Sequence, residues 1–170
     1  MVASGHHVND FCCFDFGNAE RSNDDTGNGH MDAVNLSKEC WFTPCAGAGP
    51  WVQADLENGL FAGGNGPNVH NTGIKSAFVT AMVANNGRTR YEIEGGNAQK
   101  GQLRIWYDGP LPDTGGYTPM HQEGAIVLGT GGDNSNASIG SFFEGVMTRG
   151  YPPEAAEIAV QENIVSVGYR

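Results

Sequence analysis

The feature that most restricts the fold is the spread of glycine and proline along the whole chain. The 170 residues include 26 glycines and 8 prolines, and they follow no fixed period of the kind that collagen or a solenoid would show. So many turn-forming residues exclude a helical bundle and favour many short strands joined by turns. With 39% hydrophobic residues, the chain also has material for a core. A single compact domain is expected for this length.

Alternating polar and apolar residues then locate the strands. Residues 76–84 are rich in β-forming residues, 85–87 read Asn-Asn-Gly, and 89–94 alternate again, which predicts an antiparallel hairpin. Further strands are predicted over 102–107, 124–128 and 140–147, and one helix over 152–165. The first thirty residues have no sustained period and are predicted to be mainly loop, although Phe11, Phe14 and Phe16 could anchor a short strand. Five or six strands and one short C-terminal helix indicate an all-β fold, an antiparallel β-sandwich or jelly roll.

Charge and hydropathy exclude several classes of partner. Nineteen acidic against nine basic residues give a net charge of −10, and no basic cluster is present to neutralise phosphates, so no nucleic-acid partner is expected. The longest apolar run, 78–84, is far shorter than the ~20 residues that cross a bilayer, so no membrane partner is expected. The first fifteen residues contain no apolar signal-peptide core.

The cysteines and histidines do not have the spacing of a metal site. Zinc sites need Cys-x-x-Cys or histidines at ligand spacing, and the isolated histidines here are His30, His70 and His121. The segment 133–144 lacks the positions of a calcium-binding loop. We therefore expect no metal and no cofactor. Four cysteines allow three complete pairings, and four reduced, buried thiols are an equal alternative; they are Cys12, Cys13, Cys40 and Cys45.

Two carboxyl groups are candidates for chemistry. Alternation over 51–57 places Asp55 and Glu57 on the same side of one strand, and Asp133 lies in a glycine-rich loop after an apolar strand. Hydrolysis of a glycosidic bond needs two carboxyl groups that flank it. The plain alternatives are a solvated strand face for Glu57 and ordinary turn chemistry for Asp133. Aromatic residues such as Trp41 and Phe42 could stack on sugar rings or belong to the core.

Several long segments, in order, resemble one family. They are 12–20 (CCFDFGNAE), 26–31 (TGNGHM), 49–61 (GPWVQADLENGLF), 131–136 (GGDNSN) and 143–148 (FEGVMT). Together they are similar to the glycoside hydrolase family 54 α-L-arabinofuranosidases, the B type of filamentous fungi. The resemblance runs through essentially the whole chain.

The resemblance implies a concanavalin-like β-sandwich that releases terminal α-L-arabinofuranosyl groups from arabinoxylan and arabinan with retention of configuration. By position, it makes Glu57 the nucleophile and Asp133 the general acid/base. It assigns sugar binding to Asp55, Asn58 and Gly132, to a Cys12–Cys13 disulfide, and to an aromatic residue at Trp41 or Phe42. It also implies an extracellular, secreted enzyme whose partner is arabinose-containing plant cell-wall polysaccharide.

The family's catalytic domain is longer than this chain. Residues 1–170 resemble its C-terminal half, without the N-terminal half and without the arabinose-binding β-trefoil domain. Strands that lack their partners would leave open edges, which predicts self-association. Two alternatives to the enzyme follow: a noncatalytic carbohydrate-binding sandwich, and an inactive fragment.

Overall fold

The computed structural model describes residues 1–40, 44–113 and 116–170. Within these residues the chain forms ten strands and one helix. In chain order they are β1 (Val2–Val8), β2 (Asp15–Ala19), β3 (Asp32–Ser37), β4 (Trp51–Asp55), β5 (Leu60–Phe61), β6 (Phe78–Asn85), β7 (Tyr91–Asn97), β8 (Arg104–Gly109), β9 (Ala125–Leu128), β10 (Gly140–Glu144) and α1 (Glu154–Val167).

The strands form two five-stranded sheets with antiparallel pairing throughout. The first sheet has the order β10-β1-β6-β7-β8 and the second has the order β5-β4-β3-β2-β9. Because side chains alternate along a strand, each sheet turns every second residue toward the other sheet. Val34 and Val52 from the second sheet meet Val79 and Ile93 from the first in one buried core. The expected antiparallel β-sandwich is confirmed.

Helix α1 covers the outer face of the first sheet. Ile164 of the helix packs with Val2 and Ala98 in a second cluster. The helix follows Pro153, carries acidic residues in its first turn, and ends at Gly168, which is left-handed with φ 76°. In the described parts of the chain, no helix has the length and apolar character needed to cross a membrane.

Some element predictions are confirmed and others are wrong. The hairpin is present as β6 and β7, and the helix and the three later strands lie where the sequence placed them. The prediction that the first thirty residues are mainly loop is wrong, because β1 and β2 lie there, although β2 contains Phe16, one of the residues expected to anchor a short strand. Strand β3 was not predicted. Both faces of β3 are covered, so it shows none of the polar alternation that marks a half-exposed strand.

Candidate active site

A cavity of about 370 Å³ opens on the outer face of the second sheet, opposite the core. It is formed where the turn after β4 meets the loops that precede β2 and follow β9. Four carboxyl side chains line it, together with two cysteines, apolar side chains and backbone. The lining residues are Phe11, Cys12, Cys13, Asp25, Met31, Asp55, Glu57, Gly59, Leu60, Gly132, Asp133, Asn134, Ser135, Asn136 and Ala137.

The floor beside the cavity is a buried polar row across three strands. Asp15 of β2 is paired with Asn35 of β3, and Asn35 is paired with Gln53 of β4. All three are fully buried, and Asn35 Nδ2 donates to Asp15 Oδ1 over 2.7 Å. Asp55, the last residue of β4, lies on the same outer face and is 7% exposed. Polar side chains buried this deeply are unusual where they serve only to stabilise the fold, and they are typical of a functional site.

Glu57 lies in the turn that follows β4. The strand ends at Asp55, so the prediction that both carboxylates project from one strand is wrong. The Glu57 N–H donates to Asp55 Oδ1 over 2.9 Å, and Glu57 has a φ of 74°. A positive φ is strained for a residue with a side chain and is concentrated at functional positions. The turn therefore holds Glu57 in a fixed direction over the cavity.

The loop that follows β2 closes around the Glu57 carboxylate. Gly27 N–H donates to Glu57 Oε1 over 2.7 Å, and His30 N–H donates to Glu57 Oε2 over 3.3 Å. Gly27, Asn28 and Gly29 all have positive φ, at 76°, 65° and 69°, which turns the backbone N–H groups inward. Glycine suits this path because it adopts positive φ without steric cost.

Burial and neighbouring carboxyl groups raise pKa values at this site. Burial, followed by the hydrogen bond to Glu20, raises the pKa of Glu57 to about 7. Burial also raises the pKa of Asp55 to about 6, although a hydrogen bond with Asp15 opposes the rise. Burial and the charge of Asp55 raise the pKa of Asp15 well above its usual range. Displaced carboxyl pKa values in a cavity are a mark of acid–base chemistry.

A disulfide between Cys12 and Cys13 forms one wall of the cavity. The two sulfur atoms and an Asp55 carboxylate oxygen all lie within 4.8 Å of one another. The Cys13 carbonyl accepts a 2.6 Å hydrogen bond from Ser138 Oγ. The wall therefore presents an apolar sulfur surface beside a carboxylate. Cys40 and Cys45 form a second disulfide away from the cavity, which answers the open question of the cysteine pairing.

Asp133 lies at the rim, in the loop between β9 and β10. Its side chain is exposed, and Oδ1 accepts the Ser135 N–H over 2.9 Å. The Ser135 carbonyl in turn accepts the N–H groups of Gly131, over 2.8 Å, and Cys13, over 3.3 Å. These bonds tie the Asp133 loop to the disulfide segment, although the two are far apart in the sequence.

The structure brings together most of the predicted site residues. Cys12, Cys13, Asp55, Glu57, Gly132 and Asp133 line one cavity. Asn58 lies next to it: an added Cβ on Gly27 would be 2.5 Å from Asn58 Nδ2. The predicted Trp41 and Phe42 lie outside the described residues.

Four acidic or basic residues at the site were missed as functional candidates. Asp25 lines the cavity, Asp15 contacts Asp55, and Glu20 and His30 contact Glu57. The donor atoms of Glu20, His30 and Glu57 lie within 4.8 Å of one another, so the reading of His30 as isolated is wrong. Glu20 and His30 lie within the family-like segments 12–20 and 26–31, and this position is the sequence signal that could have identified them. Hydrogen bonds satisfy these carboxyl groups, so we assign no metal to the cluster.

A larger cavity of about 780 Å³ lies between α1, the segment after β10 and the sheets. None of the predicted site residues lines it. The smaller cavity is therefore the candidate active site.

The two-sheet sandwich, with several carboxyl groups in one cavity on its outer face, fits the class of β-sandwich that the sequence resembles. Comparison with known proteins agrees. The family described as "Alpha-L-arabinofuranosidase B, catalytic" matches residues 1–170. The chain belongs to this family.

Individual relatives are similar over nearly all of this chain. The α-L-arabinofuranosidase B of Aspergillus niger is 52% identical over 169 residues, which are 99% of this chain and 34% of that protein. The α-L-arabinofuranosidase of Hypocrea jecorina is 50% identical over 169 residues, again 99% of this chain and 34% of that protein. The chain thus spans about a third of the length of the curated relatives it matches.

Two solved structures show the same fold. An arabinofuranosidase complexed with arabinofuranosyl-α-1,2-xylobiose superimposes with a TM-score of 0.94 at 50% identity, covering 99% of this chain and 35% of that one. A glutamate-to-glutamine mutant of a GH54 α-L-arabinofuranosidase, soaked with 4-nitrophenyl α-L-arabinofuranoside, gives a TM-score of 0.95 at 49% identity, with the same coverage.

Proposed function

We propose that this chain carries the catalytic centre of a retaining α-L-arabinofuranosidase, with Glu57 as the nucleophile and Asp133 as the general acid/base. The observation that supports it most is the single cavity lined by both carboxyl groups. Glu57 is held there by two backbone N–H groups, while Asp133 stands at the exposed rim. A nucleophile needs a fixed direction, and an acid/base needs access to the leaving group and to water.

In the proposed first step, ionised Glu57 attacks the anomeric carbon. The bond from that carbon to the glycosidic oxygen breaks, and protonated Asp133 gives its proton to the departing oxygen. In the second step, Asp133 takes a proton from a water molecule as the water oxygen attacks the same carbon. The ester to Glu57 then breaks, arabinose leaves with retained configuration, and both carboxyl groups return to their starting states.

The remaining cavity groups would recognise the sugar. In this proposal Asp55, Asn58 and Gly132 hydrogen-bond the furanose hydroxyl groups. The Cys12–Cys13 sulfur surface packs on the apolar face of the ring, and Trp41 or Phe42 adds an aromatic contact. The substrates would be arabinose side chains of arabinoxylan and arabinan, consistent with the arabinofuranosyl-xylobiose bound to a relative. Such a substrate implies a secreted enzyme that needs no cofactor.

The chain itself is proposed to be the C-terminal half of a catalytic sandwich domain. This fits its share of the length of its relatives, about a third. Two rivals remain: a noncatalytic carbohydrate-binding sandwich and an inactive fragment.

Hydrolysis of 4-nitrophenyl α-L-arabinofuranoside by the purified chain separates the three. Turnover would support the enzyme, and arabinose binding without turnover would support the binding module. The absence of both turnover and binding would support the inactive fragment. Glu57→Gln should abolish turnover without unfolding the protein, because the amide cannot form the ester. Glu162→Gln, which removes the same charge from the exposed face of α1, should leave turnover unchanged. Full activity in Glu57→Gln would remove Glu57 from the proposed role.

The role of Asp133 has its own test. Asp133→Gly should lose activity, and added azide should restore part of it on substrates with good leaving groups, because azide replaces the activated water. The exposed Asp10→Gly is the control. No rescue by azide, or wild-type activity in Asp133→Gly, would reject the assignment.

A further inference from the structure

Glu20 is a buried carboxyl group that contacts the proposed nucleophile and has no role so far. It follows directly after β2 and is 8% exposed. One of its carboxyl oxygens lies within 4.8 Å of a carboxyl oxygen of Glu57. The loop that carries the Gly27 and His30 N–H donors begins at Glu20, so one segment contacts Glu57 through both its backbone and a side chain.

The other contacts of Glu20 favour its ionised form. Ser22 Oγ donates to Oε1 over 2.6 Å, and Thr26 Oγ1 donates to Oε1 over 2.7 Å. The Thr26 N–H donates to Oε2 over 3.3 Å. A carboxylate that accepts several hydrogen bonds is stabilised as the anion. Among the described residues Glu57 accepts fewer hydrogen bonds of this kind than Glu20 does, namely two from backbone N–H groups.

We propose that Glu20 is a positioning residue that shares one proton with Glu57 and thereby sets the pH range in which Glu57 is free to attack. The inference rests on the proposed function of Glu57. Two carboxyl groups whose oxygens lie within 4.8 Å of one another repel each other when both are ionised, so they lose their two protons in separate steps. Consistent with this, the hydrogen bond from Glu57, followed by those from Ser22 and Thr26, lowers the pKa of Glu20 to about 2.

The shared proton has a consequence for catalysis. When Glu20 is ionised, Glu57 becomes more basic, and a more basic carboxylate is the stronger nucleophile. Formation of the ester then removes the charge on Glu57 and relieves its repulsion with Glu20. The cost is that a smaller fraction of Glu57 is ionised at acidic pH.

Other charged groups also face Glu57 and bear on its titration. His30 lies closest to the pair, with Nδ1 3.7 Å from Glu20 Oε2. The remaining groups are Asp25, Asp55, Asp133 and the Tyr117 hydroxyl. Asp25 also interacts with the Glu57 side chain, but Asp25 is exposed, whereas Glu20 is buried.

The first test is a pH titration of the wild-type chain by NMR, with ¹³C at the glutamate carboxyl carbons and with Glu20→Gln and Glu57→Gln as assignment references. A shared proton predicts that the Glu20 and Glu57 signals both move in the same upper step, above the ordinary range of glutamate. If Glu57 titrates as a single ordinary glutamate and Glu20 does not respond, the proposal is overturned. This arm needs no activity.

The second test is Glu20→Gln, which keeps the size of the side chain and removes its charge. The pKa of Glu57 should fall by about one unit, so ionised Glu57 becomes about tenfold more abundant at pH values below that pKa. The acidic limb of the kcat/KM profile on an aryl arabinofuranoside should move to lower pH by the same amount. Glu123→Gln should shift neither, because Glu123 pairs with Arg21 rather than with Glu57.

A structural role alone would lower kcat/KM at every pH without moving the limb, and that result would contradict the proposal. Failure of the proposed function of Glu57 would give a different experimental result. If Glu57→Gln remained active while the two signals still titrated together, Glu57 would not be the nucleophile but the proton would still be shared.

Discussion

Asp15 and Asp55 interact across β3, close enough that each carboxyl group shifts the pKa of the other. Asp15 Oδ2 is buried and meets no N–H or hydroxyl donor among the described residues, whereas Asp55 Oδ1 accepts the Glu57 N–H. Because the pKa of Asp15 is raised, its carboxyl group favours the protonated form, and that proton would serve Asp55 as a donor. Through Asp55, a residue beneath the cavity fixes the turn that carries Glu57.

Two substitutions at Asp15 should separate this donor role from simple burial. Asp15→Asn keeps a donor toward Asp55 and an acceptor for Asn35, so we expect stability and activity near wild type. Asp15→Ala removes both partners, and leaving buried polar groups unpaired costs about 1–3 kcal/mol. Urea unfolding of the two variants checks this. Equal losses in both variants would show that the hydrogen bond to Asp55 does not matter.

The carboxyl groups beneath helix α1 predict how stability depends on pH. Burial, followed by the charges of Glu157 and Glu92, raises the pKa of Glu94 from 4.5 to about 8. The folded protein thus holds this proton more tightly than the unfolded chain does. The contribution of Glu94 to stability is therefore complete below about pH 4.5 and is lost as the pH rises toward 8. The raised pKa of Asp55, about 6, acts with the same sign.

Calorimetry between pH 4.5 and pH 8 should accordingly show Tm falling as the pH rises. Glu94→Gln should flatten that slope and raise Tm at pH 8, since no charge is then buried. Glu162→Gln, on the exposed side of the same helix, should retain the wild-type slope. A Tm that rises across this range would contradict the assignment.

Gly27 combines a left-handed backbone with close contact to the site. Its φ is 76°, and an added Cβ would be 2.5 Å from Asn58 Nδ2. Gly27→Ala should therefore move the N–H that holds Glu57 Oε1, with a loss of about tenfold in kcat/KM and about 1–2 kcal/mol of stability. Gly66→Ala is the matched control, because no atom lies within 4 Å of its added Cβ. Activity equal in the two variants would separate Gly27 from the positioning of Glu57.

The open edge at β9 predicts self-association. Ile126 and Leu128 alternate on the side of the second sheet that faces the core, yet they are 69% and 50% exposed. Exposed apolar side chains on an edge strand promote pairing with another copy. Ile126→Lys should reduce concentration-dependent association in sedimentation experiments. Ile158→Lys, which makes the same substitution at an exposed position on α1, serves as the charge control. A wild-type chain that is monomeric at all concentrations would disprove the expectation.

Local patterns predicted the parts of the fold that they control. The β6–β7 hairpin was predicted because alternation and the Asn-Asn-Gly turn act over a few residues. Helix α1 was predicted because its prolines and its spacing are equally local. Strand β3 was missed because both of its faces are covered, so polar and apolar residues do not alternate as they do in a half-exposed strand.

The candidate site, like the fold, was predictable where local motifs determine it and was not predictable elsewhere. Glu57, Asp55 and Asp133 could be proposed from the motifs around them. The contacts of Asp15 with Asp55, and of Glu20 with Glu57, could not be predicted, because they depend on the register between strands far apart in the sequence. A single residue of register shift would turn Asp15 toward the core.

The covalent bond between Glu57 and arabinose is the central claim, and intact-protein mass spectrometry tests it most directly. Asp133→Gly should accumulate this ester during brief reaction with 4-nitrophenyl α-L-arabinofuranoside, because the water that would cleave it lacks a base. After an acid quench and proteolysis, we predict one arabinofuranosyl group on the peptide that contains Glu57, and none in the double variant Glu57→Gln/Asp133→Gly. A label on another carboxyl group, or no label at all, would contradict the account.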